Sequence, residues 1–123
     1  MNAQSQAQRA YSAASAPTRT SRNLEYDAVA RITHRIRAAD QKGSEGFTNL
    51  VEALHDNKKL WNIFAIDVAD AGNRLPRELK AQIFYLAEFT SQHTSKVLAR
   101  QAGVAPLLEI NTAILHGLRS GAA

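Results

Sequence analysis

At 123 residues the chain is the length of one domain, long enough to bury roughly two thirds of the surface its unfolded form exposes. Its 45% hydrophobic and 21% charged residues are ordinary for a soluble globular protein, and a net charge of +4 suits an acidic partner without requiring one. The absence of cysteine excludes disulfide scaffolds, thiolate zinc sites and thiol nucleophiles. No run of about 18 apolar residues is present to span a membrane, and the start, MNAQSQAQRAYSAAS, lacks the apolar stretch of a secretory signal. A cytoplasmic protein without membrane contact is expected.

Residues 1–23 are rich in Ala, Ser and Gln, carry Arg9, Arg19 and Arg22, and contain no acid and no Leu, Ile, Val or Phe. Such a segment has too little to bury, so a mobile arm is expected. A short helix over Asn2 to Ala14, ended by Pro17, is the ordered alternative. An acid-free start with Arg and Ser also resembles an organelle transit peptide.

Leu24 to Ala39 predicts a helix, with Leu24, Ala28, Val29, Ile32, Ile36 and Ala39 on one side at helical spacing. Glu25 projects near the centre of that stripe, where its charge suits the helix dipole but, if it faces a core, needs a partner. Lys42-Gly43 supplies a stop. Ser44 is placed to cap the next helix, in which Phe47, Leu50, Val51 and Leu54 keep the apolar spacing. Whether the chain breaks at His55-Asp56-Asn57 or runs as one helix to Ala71 is left open by the pattern.

The segment from Asn57 to Leu79 organises the chain, because it holds the only tryptophan, Trp61, in its densest apolar run. Leu60, Trp61, Phe64, Val68 and Ala71 share a face, and Ile63 and Ile66 widen it past half the circumference, which predicts packing by several neighbours. Asp67 falls on the apolar side and is expected to be buried and paired, by Arg74 or an Asn of another helix. Gly72-Asn73 and then Pro76 read as a helix end, a short connection and a new start. Pro76 to Gln101 predicts the longest helix, stopping at Gly103. Its stripe is Leu79, Ile83, Leu86, Val97 and Leu98, continued by Thr90 and Thr94, while Phe84 and Tyr85 point elsewhere. Pro106 opens a last, heavily apolar helix in which Asn111 can donate and accept at once, as a partner for a buried group. Residues 119–123 make a polar tail. With no strand-like alternation and no repeat, the expected fold is an all-α, compact bundle of four or five helices with a mobile arm.

Chemistry-bearing patterns are sparse. The histidines His34, His55, His93 and His116 form no zinc-binding pair at helical spacing. No phosphate loop or nucleophile elbow is present, and no cofactor or metal is implied. A role for Asp67 as a catalytic acid lacks a second carboxylate or His at a supporting offset, so an enzyme is not expected. Arg31 and Arg35 form an i, i+4 pair that suits phosphate, but acids interleave with the basic residues from Glu25 onward and nucleic acid is not expected as a partner.

The order and spacing of LEYDAVARITHRIRAA (Leu24 to Ala39), Leu60-Trp61 with Asp67, Asn73-Arg74-Leu75-Pro76 with Leu79, and Leu108-Glu109-Ile110-Asn111 with Gly117-Leu118 carry a resemblance. Over about residues 24–118 the chain resembles the FlaF family of alphaproteobacterial flagellar biosynthesis regulators. Glu25, Leu60, Trp61, Asp67, Asn73, Leu75, Pro76 and Asn111 are its motif positions here. The resemblance implies a small helical protein that binds unassembled flagellin as a secretion chaperone, promotes flagellin synthesis and export, and works opposite FlbT, a repressor of flagellin translation. A long apolar groove would serve that role by helix-in-groove recognition. Surplus hydrophobicity, which is not specified by the family, points to Phe47, Leu50, Leu54, Phe84, Tyr85 and Phe89 as its wall. The alternative is an RNA-binding post-transcriptional regulator of flagellin messenger RNA, working through Arg31 and Arg35.

Overall fold

A computed structural model describes residues 15–120, with the side chains of residues 25–117. Helix α1 spans Ser15–Gln41. Val29, Ile32, Thr33, Ile36 and Ala39 recur along one face of it, and all are buried. The helix begins well before the expected Leu24 and carries Pro17 in its first turn. The missing proline N–H costs nothing there, because the first four amides of a helix have no internal acceptor. Residues 15–23 of the expected arm are therefore helical, and the rest of it, with the alternative helix from Asn2 to Ala14, lies outside the described residues. As expected, α1 stops beside Gly43, whose φ of +61° is the left-handed conformation that glycine adopts readily.

Ser44 does not cap the next helix. Gly43–Gly46 forms a turn of 3-10 helix, and α2, Phe47–Ala69, starts behind Gly46 without a side-chain cap. A Cβ on Gly46 would overlap the carbonyl oxygen of Ala39. The chain thus crosses the end of α1 at a distance only glycine allows. Helix α2 then runs unbroken through His55-Asp56-Asn57, which resolves the open choice in favour of one helix.

The connection after α2 is shaped by its own polar residues. Gly72 N–H donates to Asp70 Oδ1 and Leu75 N–H to Asn73 Oδ1, local turns of the kind Asp and Asn favour. Helix α3, Arg77–Leu98, follows with Pro76 at its N-cap. It is shorter than expected and α1 is the longest helix, because α3 ends before Gly103 in a Schellman turn. Gln101 N–H donates to Lys96 O (2.8 Å) and Arg100 N–H to Val97 O (2.9 Å). The left-handed position is held by Arg100 at φ 62°, and its guanidinium lies 4.5 Å over the Phe47 ring. That cation–π contact offsets part of the conformational cost. Helix α4, Ala105–Ser120, completes the chain.

Among the described residues these four helices are the whole architecture, and they form a bundle. Helix α2 packs along both α1 and α3, and α4 packs along α1, whereas α3 and α4 touch only lightly. One core joins all four: Ile32, Ile36 and Ala39 of α1, Leu50, Ala53 and Leu54 of α2, Val97 of α3, and Val104 and Leu107 around the start of α4. The members from α3 and α4 sit next to the connection between those helices, so this cluster closes that end of the bundle.

Gly46→Ala is expected to lower stability by about 1–3 kcal/mol, the cost of forcing a methyl group into a packed contact. Urea unfolding followed by Trp61 fluorescence measures it. An unchanged midpoint would show that α1 and α2 do not need this close approach.

Candidate helix-binding groove

The site is built outward from one buried amide. Asn111 of α4 is 1% exposed, and its Oδ1 accepts a hydrogen bond from Trp61 Nε1 at 2.9 Å. Its Nδ2 donates to Asn57 Oδ1 at 2.8 Å and to Thr33 Oγ1 at 3.1 Å. Thr33 in turn donates to the Val29 carbonyl. This is the partner role expected of Asn111, and it ties α4 to α1 and α2 in a single register. Asn57 Nδ2 and, on α3, Thr90 Oγ1 are buried without a hydrogen-bond partner among the described residues, so the polar layer carries a cost as well as a gain.

With α4 fixed in this way, its neighbouring turns present Ile110, Ala113 and Ile114 to a groove of about 740 Å³. Leu79, Ile83 and Leu86 of α3 form the opposite wall. Between the walls lie Phe64 and Val68 of α2, with Phe64 set edge-on against Trp61 at a centroid distance of 5.2 Å. Asn73 and Leu75, from the connection before α3, also line it. The groove follows from the splay of α3 and α4: close at their shared connection, they leave Leu79, near the far end of α3, 40% exposed.

Of the motif positions that carry the resemblance, four line the groove and the others lie near it or on the core. Trp61 and Asn111 support it from beneath, Leu60 packs on the core, Pro76 starts the wall helix, and Glu25, Asp67, Asn73 and Leu75 line the groove. Asp67 is corrected in one respect: it is exposed rather than buried in the apolar face. Ile63 and Ile66 are likewise not covered by neighbours, being 57% and 72% exposed. Helix α2 lies along α1 and α3 and meets α4 through Asn57 and Trp61, so among the described residues its outer side has no helix packed along it.

None of the six residues predicted to wall a partner site lines the groove. Leu50 and Leu54 belong to the core, and Phe47 is packed against it beneath Arg100. Phe89 is half-buried and stacks on the His93 ring at 5.3 Å, while Phe84 and Tyr85 stand exposed elsewhere on α3. The walls of the groove come from the stripe of α3 and from one side of α4, two apolar faces that periodicity assigns to a core. Of the basic pair on α1, Arg31 is exposed and Arg35 is engaged with Asp56 at 2.9 Å. Among the described residues no group of three or more His, Asp or Glu is placed to hold a metal ion, and no helix is long and apolar enough to cross a membrane.

A family model, that of flagellar protein FlaF, matches residues 7–118. No curated protein and no solved structure matches the chain.

Asn111→Leu keeps the volume but leaves the Trp61 N–H and the Asn57 carbonyl oxygen without their partner. A loss of about 2–4 kcal/mol is expected, with a shift in Trp61 emission, since each orphaned group carries its full desolvation cost. Equal stability of the two proteins in denaturant would show that the polar node does not hold α4.

Proposed function

The chain belongs to the FlaF family of flagellar proteins, and from that premise we propose that it works by binding, without catalysis, as a chaperone and regulator of flagellin before assembly. In this reading the α3–α4 groove holds an amphipathic segment of flagellin as a helix. Unassembled flagellin carries such segments unpaired, and their apolar faces aggregate unless another surface covers them. The observation that supports the reading is the groove itself: two helix faces, apolar enough for a core, that splay apart and leave Leu79 exposed.

The magnitudes suit a temporary hold. About three apolar anchors at about 1.5–3 kcal/mol each supply roughly 5–9 kcal/mol. Ordering the bound segment removes about 2–5 kcal/mol of that. The remainder, up to about 7 kcal/mol, corresponds at best to a complex of about ten micromolar, a hold loose enough to release the client for export.

Leu79→Asp is expected to weaken binding to monomeric flagellin about tenfold or more, by removing one anchor, without moving the thermal melt. Ile66→Asp, on the outer side of α2, is expected to leave binding unchanged. Titration calorimetry with purified flagellin distinguishes the cases. If Tyr85→Asp weakens the complex while Leu79→Asp does not, the exposed face of α3 is the site and the groove reading fails.

A further inference from the structure

The charges at the groove do not follow those of the chain. The sequence has 15 Lys and Arg against 11 Asp and Glu, yet every charged residue lining the groove is acidic: Glu25, Asp67 and Glu109. Asp67 and Glu109 are both exposed, and neither has an ion-pair partner among the described residues. They stand on different helices, Asp67 on α2 and Glu109 on α4, at positions that border the apolar walls. Carboxylates so placed favour a cation at the edge of a bound segment and repel an anion there.

Length is constrained as well. The lining runs from Leu79 to Leu86 on α3 and from Glu109 to Gly117 on α4, each about 10–12 Å at the rise of a helix. That accommodates about two turns of a bound helix, hence apolar anchors at i, i+3 or i+4, and i+7.

Resting on the reading of the groove as a client site, we propose that its occupant is a short amphipathic helix whose two-turn apolar face is bordered by Lys or Arg, held at the edge by Asp67 and Glu109. The groove thereby selects among amphipathic segments by the sign of their flanking charge. Acid-bordered segments of equal hydrophobicity are rejected.

The test uses the full chain and two labelled peptides of about sixteen residues with identical leucine anchors at that spacing, one bordered by Arg and one by Glu. Fluorescence anisotropy is expected to show the Arg peptide binding about tenfold tighter at low salt, with the difference shrinking as salt is added. In the double variant Asp67→Lys, Glu109→Lys the preference is expected to reverse. Equal binding of the two peptides, or no reversal, overturns the charge proposal and leaves the groove reading standing. Failure of both peptides in a protein that still binds flagellin through Leu79 also overturns it, because the determinant would then lie outside a two-turn helix. Loss of flagellin binding itself is what removes the underlying reading. Self-association of the chain that Leu79→Asp abolishes would make a second copy the occupant and overturn the proposal.

Discussion

Three hydrogen bonds to one buried side chain, that of Asn111, hold α4 against α1 and α2. A side-chain amide that is 1% exposed must find partners, and Asn111 finds three, on Thr33, Asn57 and Trp61. A slip of α4 by one turn would leave the Trp61 N–H and the amide itself buried without partners, at a cost of several kcal/mol. Apolar contacts alone are less selective, since Leu, Ile and Val slide past one another with small changes in free energy. The polar node therefore sets where α4 lies, and the position of α4 sets the shape of the open side.

That open side results from how apolar residues are shared out. Val97, Val104 and Leu107 close the end of the bundle near the α3–α4 connection, where His93 Nε2 also lies 2.7 Å from the Gly103 carbonyl. Towards the other end, α4 is held to α1 and α2 while α3 is held to α2, and α3 and α4 touch only lightly. The stripe of α3 and one side of α4 then face each other across a gap. A self-sufficient bundle would fill it with its own side chains or with a further helix. Under the proposed function, the covering helix would come from flagellin.

Much of this was legible in the sequence. Period-3.6 spacing located the helices, Gly43 and the Gly72-Pro76 stretch marked their ends, and a lone amide in an apolar helix identified Asn111 as a buried partner. Periodicity failed where the outcome depends on which neighbour is present. Ile63 and Ile66 belong to the same run as Trp61, but among the described residues no helix covers the outer side of α2, so one part of the run is core and another is surface. The same pattern places Asp67 in the core although it is exposed. Phe47, Leu50 and Leu54 show the converse: counting large side chains finds surplus hydrophobicity without telling which of it the fold consumes. Gly46 was missed because a close backbone crossing leaves no signal beyond a glycine. Arg100 was missed because a left-handed arginine, steadied by Phe47, does the work the sequence assigned to Gly103.

If flagellin lies between α3 and α4, as proposed, the isoleucines report on it directly. Ile83, Ile110 and Ile114 line the groove, Ile32 and Ile36 lie in the core, and Ile63 and Ile66 face outward. Methyl NMR of the isoleucine-labelled protein, recorded as monomeric flagellin is added, is predicted to shift the first three and leave the other four in place. Shifts at Ile63 and Ile66 with Ile83, Ile110 and Ile114 unmoved would place flagellin on the outer side of α2 instead.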